Sequence, residues 1–438
     1  IWGNHYRSYY QLPIETPIVY LDTLFGGLKP TIAGGGHQSL SLRLKDSEGK
    51  EYVMRALKKN ATRFLQSIAF RDQNVEVEFK NTVAEDVIFD FYTTAHPFTP
   101  FIIGDLASKI GVYHTNPKLY YIPKQNSLGI YNNKFGDELY LFEERPTDEH
   151  KLEESFGKPD AIVGTDDVIK NIRKDEKYKV NDRAYLKARL FDMLIGDWDR
   201  HADQWRWAEY QHSDNKVTYS PIPRDRDQAF AKVDGPLIEL LTNIPAMRHI
   251  TNFDDKLPSE KWFNGAANNL DQTFLIETTE KDWIEQVQFI TNELTDEVIA
   301  EAFQKLPEEI NSDATTLEIK QKLTARKKGL EDFALKYYAF LQKTITLTGT
   351  DKKDRFVVER LPEGKTKVTY YRIKKGGDEL QFSRTYDENY TNEIRIYSLD
   401  DEDVFETIGN EKSKIIVRLI GGQNKDSYVL NNGKKVKV

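Results

Sequence analysis

Two acidic clusters stand in the middle of the chain. Residues 191–210 read FDMLIGDWDRHADQWRWAEY, and residues 218–230, beyond a short polar turn, read TYSPIPRDRDQAF. An apolar run ends at Gly196 and delivers Asp197, Asp199, Arg200, His201 and Asp203. A β-like run over 217–222 then delivers Asp225 and Asp227. Carboxylates at two points a strand–turn–strand apart suit phosphoryl transfer. One carboxylate orients or deprotonates an attacking hydroxyl, and another holds the Mg²⁺ that bridges nucleotide phosphates. Asp225 and Asp227 are two apart, so in an extended segment they share a face and can approach one metal. The plainer alternatives are helix-end ion pairs for the first cluster and solvated turn residues for the second. Trp198, Trp205 and Trp207 argue for a packed loop instead, where unpaired charge is costly. Trp198 itself reads as core rather than as a substrate platform.

Three further stretches carry candidate chemistry. In the Gly34-Gly35-Gly36 turn, backbone N–H groups can approach phosphate oxygens because no Cβ intervenes. An ordinary loop has the same composition. The strand YVMRALKK (52–59) offers Arg55 and Lys58 to the α- and β-phosphates. They are three apart and point to opposite faces of a regular strand, so one of them can face a nucleotide. LYLFEERP (139–146) reads as a strand suited to hold an adenine through its backbone, a contact on which its side chains are silent. Near the end, IGGQNKDSY (420–428) partly matches the calcium nonapeptide G-G-x-G-x-D, with Asn424 in place of the third glycine, and a simple β-turn accounts for it.

Those groups must be held by elements, and periodicity places several. Leu40, Leu42 and Leu44 alternate with polar residues as a strand, turn chemistry follows over 46–49, and a second strand spans 51–58. Helices are expected over 82–92 and 100–110, and strands over 118–122 and 138–143. Leu186, Leu190, Met193 and Leu194 recur at helical spacing over 182–195, so a helix leads into the first acidic cluster. Residues 282–347 read as mostly helical, with one apolar face of Leu330, Phe333, Ala334, Tyr337 and Leu341, broken at Pro307 and 311–316. After a boundary at 348–354 the pattern is β-rich, and no repeat makes a solenoid of the whole chain.

Composition bounds the function. The 438 residues suggest two or three domains, and 39% apolar with 30% charged residues fits a globular protein with a core. A net charge of −8 argues against a nucleic-acid partner. No apolar run is long enough to span a membrane. The absence of cysteine removes disulfides, cysteine-based zinc sites and thiol catalysis, and suits cytosol and periplasm alike. Opening on Ile1 suggests a processed product or an excised piece, with any signal peptide gone.

Residues 30–235 resemble the atypical kinase-like fold of spore-coat-protein-H-type kinases, HipA-like kinases and the secretory-pathway Golgi casein kinase. The order of parts carries it: GGGHQS, a basic strand, EERP, GDWDRHADQ, then PRDRDQAF. LIGDWDRH is close to the GNxDRH catalytic motif of the secretory-pathway kinases, with Asp197 in place of Asn, and RDRDQAF is similar to the D-x-D-x-x-F metal segment of the spore-coat type. RALK resembles the VAIK pattern of protein kinases and favours Lys58, whereas YVMR resembles the strand of more distant kinases and favours Arg55. Strings such as GNHYRSYY and IRIYSLDDEDVF also resemble a Bacteroidetes family whose region lies between a calcineurin-like metallophosphoesterase domain and an outer-membrane surface-antigen barrel. Neither neighbour is found in this chain.

The resemblance implies an α+β chain. Residues 1–29 would be an N-terminal extension, 30–150 an N-lobe with the Gly-rich hairpin, 151–347 a mainly helical C-lobe with the catalytic and metal loops, and 348–438 a small all-β domain. ATP and Mg²⁺ (or Mn²⁺) are the implied cofactors, with a phosphate acceptor that the sequence does not name. Asp199 would be the catalytic base. Asp225 would hold the metal with Gln204 or Asp227 second; Gln204 stands where these kinases carry Asn. Arg55 or Lys58 would pair the nucleotide phosphates beneath Gly34, Gly35 and Gly36. For the helix glutamate that usually pairs the strand cation, Glu76, Glu78 and Glu85 are all available. A location in the cell envelope, as a fragment of a larger protein, is also implied. Two rival readings stand beside phosphoryl transfer: a catalytically silent nucleotide-binding or interaction module of an envelope enzyme, and a metal-dependent phosphohydrolase. His201 is the only histidine in the two clusters, which is few ligands for a two-metal site.

Overall fold

Period-two alternation builds the first sheet. The structure, a computed structural model, describes residues 3–34, 39–59, 92–235 and 247–438, except the side chains of 39, 58 and 59. Strands β1 (Lys29–Gly34), β2 (Ser39–Lys45), β3 (Glu51–Lys59), β4 (Lys118–Ile122) and β5 (Glu138–Glu144) pair antiparallel in the order β1-β2-β3-β5-β4. Leu42, Leu44, Tyr52, Met54, Tyr140 and Phe142 fill one face and form a core. Register puts Arg43, Val53 and Glu143 in one row of the opposite face, and Ser41, Arg55 and Leu141 in the next. The charged residues on strands that otherwise alternate are therefore gathered on one side. Strand β1 was not expected from the sequence. The expected helix over 82–92 lies, apart from Tyr92, outside the described residues.

Among the described residues six helices have eight or more residues: α1 (Pro100–Lys109), α2 (Thr165–Lys174), α3 (Asp182–Ile195), α4 (Glu280–Glu293), α5 (Asp296–Phe303) and α6 (Ala314–Gln342). None is long and apolar enough to cross a membrane. Helix α3 has the expected bounds for local reasons. The Asn181 side chain accepts the Ala184 N–H at 3.0 Å and caps the start. Gly196, at φ +80°, ends it, and a Cβ there would meet Phe253 Cδ2 at 2.9 Å. The expected face of α6, including Leu330, Phe333, Ala334, Tyr337 and Leu341, is buried against α3 and α4 in the largest core. Between the helices lies a four-stranded sheet, β6 (Ala161–Gly164), β8 (Trp205–Gln211), β9 (Val217–Pro223) and β7 (Tyr178–Val180), in that order. The fold class is α+β.

Helical expectation overreached at the end of α6. Residues 344–347 are not helical, because β-branched Thr344, Ile345 and Thr346 open a strand, β10 (Thr344–Thr348). From there the chain runs through β11 (Asp354–Arg360), β12 (Lys365–Arg372), β13 (Glu379–Asp387), β14 (Glu393–Tyr397), β15 (Val404–Ile408), β16 (Ile416–Ile420), β17 (Ser427–Leu430) and β18 (Val436–Lys437). It alternates between two sheets, β10-β14-β16-β18 and β13-β12-β11-β15-β17. Apart from the β11–β12–β13 meander, the pairings are parallel and in register: Leu347, Ile396 and Leu419 line up, as do Phe356, Phe405 and Tyr428. This is a short solenoid with one shared core. The IGGQNKDSY stretch is therefore not a lone turn. It is the third copy of a turn also made by TGTDKKDRF and YSLDDEDVF, with Asp354, Asp403 and Asp426 in one place.

The three aspartates form a ladder. The Asp354 N–H donates to Asp403 Oδ1 at 2.7 Å, and the Asp403 N–H donates to Asp426 Oδ1 at 3.1 Å. Asp354 Oδ2 also accepts the Thr350 N–H at 2.6 Å. Asp354 and Asp403 are buried, at 0% and 1% exposure. Burial, with Asp403 adding, lifts the Asp354 carboxyl to about 7, and burial, with Asp426 adding, lifts Asp403 to about 6. The folded chain holds these protons at pH values where the unfolded chain has released them. Their contribution to stability is thus full below about pH 4 and is lost as the pH rises through the folded values. Wild-type melting temperature should fall between pH 5 and pH 8, and Asp354→Asn should flatten that fall and melt higher than wild type at pH 8. Thermal unfolding across that range checks it; a steeper fall in the variant would mean that Asp354 is needed ionised.

Candidate functional site

Strands β8 and β9 form the hairpin that brings the acidic clusters together. Trp205 pairs with Pro223, and the Arg224 N–H donates to Gln204 O at 2.9 Å, so the first cluster ends where the second begins. Trp205 and Trp207 are fully buried on β8, as their types suggested, while Trp198 is half-buried with its ring 4.8 Å from that of His249.

Beneath the hairpin end lies a buried charge network that the sequence did not disclose. Asp192, on α3 and fully buried, accepts hydrogen bonds from Arg226 Nε at 2.9 Å and Arg189 Nη1 at 3.2 Å, and forms an ion pair with Arg200, whose Nε is 3.2 Å away. Arg200 also donates to Arg224 O at 2.7 Å. Asp271 takes Arg189 Nε at 3.0 Å and the Tyr185 and Tyr337 hydroxyls at 2.8 Å each. One carboxylate on α3 therefore holds an arginine from each acidic cluster. Asp197 sits beside it, 3.4 Å from Arg200 Nη1, and burial, with Asp192 and Asp227 near, pushes its carboxyl up to about 8 despite Arg200. The shift favours the protonated acid, which is close in shape and hydrogen bonding to the asparagine of the motif it resembles.

Across from the hairpin end stands β3. Arg55 Nη1 donates to Asp225 Oδ1 at 2.5 Å, and its Nη2 lies 3.3 Å from Glu143 Oε1 on β5. Burial works against the Arg55 charge, but Asp225 and Glu143 outweigh it and hold the guanidinium above its ordinary value. Thr115 Oγ1 donates to the other Glu143 oxygen at 2.9 Å. A cavity of about 80 Å³ is lined by Arg55, Glu143, Asp225, Asp227, His96 and Tyr10 among others. Burial drives His96 down to about 3, so it is neutral there, and its Nδ1 accepts the Phe98 N–H at 3.2 Å.

The expected site residues fall into three groups. Arg55, Asp225 and Asp227 meet at this cavity. The segment is not extended, since Asp225 has φ +53°, a left-handed turn that aims its carboxylate at Arg55. Asp199 and Gln204 are on the adjoining turn and do not line the cavity. The Asp199 N–H donates to Asp197 Oδ1 at 3.3 Å, its carboxylate is 3.9 Å from His201 Nε2, and Gln204 Nε2 is 3.3 Å from His201 Nε2. Gly34 ends β1 opposite Ser41. Gly35, Gly36, Glu76, Glu78, Glu85 and the Lys58 side chain lie outside the described residues. Glu143, His96 and the first residues of the chain were missed. Tyr6 donates to Phe230 O at 2.6 Å, the His5 N–H donates to Asp234 Oδ1 at 2.9 Å, and Tyr10 donates to Ala95 O at 2.9 Å, so the N-terminal segment straps the turn after Asp227. The pairing of Glu143 is partly readable: EERP stands out in the sequence, but its role depends on β3 pairing with β5.

No protein-family model matches the chain, and no curated protein does. Among solved structures it is similar to the Rio2 kinase–ADP/Mg²⁺–phosphoaspartate complex from Chaetomium thermophilum, with TM-score 0.33 and 12% identity over 69% of this chain and 71% of that one. At that level the likeness is slight, and the site is read from its own residues.

Removing the Asp192 charge leaves three buried guanidiniums with one counter-ion fewer. Asp192→Asn should cost about 3–5 kcal/mol. Asp197→Asn should change stability at pH 7 by less than about 1 kcal/mol, because Asn is the isostere of the protonated form that burial favours. Urea denaturation of both variants checks the pair; equal losses would show Asp197 to be ionised.

Proposed function

We propose that this chain binds a nucleoside triphosphate with Mg²⁺ (or Mn²⁺) between two lobes of a kinase-like fold and transfers a phosphoryl group to a hydroxyl. The observation that carries this is Arg55 on the central strand of one sheet meeting Asp225 at the mouth of the β8–β9 hairpin, across a cleft. The lobes would be residues 30–150 and 151–347, after an extension of 1–29 and before a β domain of 348–438. Asp225 and Asp227 supply hard carboxylate oxygens at one cavity, which fits Mg²⁺. A cation held there by two carboxylates would take its remaining ligands from phosphates and water. Bound there, the metal would supply charge neutralisation for the phosphates. Gln204 is the other candidate ligand.

A cavity of about 80 Å³ is too small for a nucleotide, so binding begins by parting Asp225 from Arg55. Arg55, still held by Glu143, then takes phosphate oxygens in place of the carboxylate. Glu143 performs from a strand what a helix glutamate does in most kinases. Asp199 accepts the proton of the acceptor hydroxyl as its oxygen bonds to phosphorus and the nucleoside diphosphate leaves. A silent nucleotide-binding module is the second reading, favoured by Asp199 and Gln204 both standing off the cavity and turning toward His201. By the sequence resemblance, the proposal extends to an envelope location beside a phosphoesterase domain and an outer-membrane barrel.

In a thermal-shift titration, ATP with Mg²⁺ should raise the melting temperature of the wild type and not of Asp225→Ala. Without ligand, that variant should lose only about 1 kcal/mol, because the Arg55–Asp225 pair is partly exposed. Asp199→Ala should keep the shift and lose turnover. A shift with no turnover in the wild type would support the silent module, and no shift at millimolar nucleotide would remove the nucleotide reading.

A further inference from the structure

Five guanidiniums stand around the cleft, and among the described residues two of them, Arg55 and Arg145, are ion-paired. Arg43 lies on the charged face of the first sheet, in the row of Glu143. Arg145 follows β5 and is paired with Glu51 at 2.6 Å, and Arg55 is shared by Glu143 and Asp225. Opposite them, Arg206 on β8 pairs with Ile222, and Arg224 meets Gln204 by a backbone hydrogen bond, so Arg206 and Arg224 share one face of the hairpin end. Arg43, Arg206 and Arg224 make no ion pair among the described residues.

Arg224 is the telling member. Its Nη1 is buried and has no hydrogen-bond partner. Burial, then the neighbouring Arg206 and Arg55, push its guanidinium down to about 10, although Asp225 and Glu143 act the other way. Arg206 donates to the carbonyl of Trp205 at 2.9 Å, and it too is lowered, by burial and then by Arg145 and Arg43, although Asp203 and Asp167 are in its surroundings. A guanidinium nitrogen buried without an acceptor is costly, and neighbouring guanidiniums repel each other. Such a cluster is stable in company with an anion, and a planar fork of N–H donors fits phosphate.

We propose that Arg224, Arg206 and Arg43 form a phosphate-binding subsite beside the Arg55–Asp225 pair. The subsite follows from the arginines alone. Whether its phosphate belongs to the acceptor or to the nucleotide is a question that rests on the phosphoryl-transfer reading.

The test uses the whole chain, with inorganic phosphate and pyrophosphate as probes and thermal unfolding as readout. Both anions should stabilise the wild type, and Arg224→Gln should weaken apparent pyrophosphate binding by about tenfold or more. In anion-free buffer Arg224→Gln should melt higher than wild type, because a buried donor without an acceptor, held beside two other guanidiniums, has been removed. Lys412→Gln, on the exposed solenoid surface, controls for net charge and should change neither result. Stabilisation by pyrophosphate that persists at saturating ATP and Mg²⁺ assigns the subsite to the acceptor, and competition assigns it to the nucleotide. A pyrophosphate effect lost in Arg224→Gln, with no ATP effect in wild type, would keep the subsite and defeat the kinase reading. Arg224→Gln melting lower than wild type, with no anion effect on either protein, would overturn the subsite and leave Arg224 a structural residue.

Discussion

The buried carboxylate of Asp192 is the constraint on which the site depends. An ionised carboxylate out of water is tolerated only when it is surrounded by hydrogen-bond donors and opposite charge. Here Arg189 comes from the same helix, Arg200 from the turn before β8 and Arg226 from the turn after β9. Neither turn can move far without leaving a charge unpaired in the interior. Helix α3 thereby becomes a fixed base for both acidic clusters, and Asp271, with two tyrosine hydroxyls, anchors the network to α6 through Tyr337.

The first sheet contributes the opposite wall by a different principle. Its strands have one apolar face, and that face is consumed by a core built on Leu42, Met54 and Phe142. The polar face is left to the cleft. The same pleat that buries Tyr52 and Met54 must present Val53 and Arg55 to the other side. On that face Arg55 and Arg145 are ion-paired, whereas Arg43 there, and Arg206 and Arg224 on the facing hairpin, make no ion pair among the described residues.

Stacking governs the last ninety or so residues. Each solenoid coil lays Phe on Phe or Tyr, with ring centroids 5.7 Å apart for Phe356 and Phe405 and 5.0 Å apart for Phe405 and Tyr428. The aspartate ladder follows the same register at the turns. The solenoid is fastened to the helical part by Arg384, which donates to Ile276 O at 2.8 Å and to the Tyr338 hydroxyl at 2.8 Å. A change in the protonation of the ladder is thus felt in a unit joined directly to α6.

The sequence by itself determined what depends on a few neighbouring residues. The bounds of α3 follow from Asn181 and Gly196, the β8–β9 hairpin from its alternation and polar turn, and the apolar face of α6 from its spacing. It also placed Asp199, Asp225 and Asp227 in two clusters a hairpin apart. Tertiary structure alone decided which partners those residues have. Arg55 meets Asp225 across 170 positions, and it meets Glu143 because β3 pairs with β5. The turn at Asp225, the raised Asp197 carboxyl and the partnerless Nη1 of Arg224 belong to surroundings that distant segments build. Three similar turns became a ladder only through parallel register, which no single turn specifies. Local periodicity and capping are written within one or two turns of chain, whereas ion pairing and strand register depend on which distant surfaces are brought together.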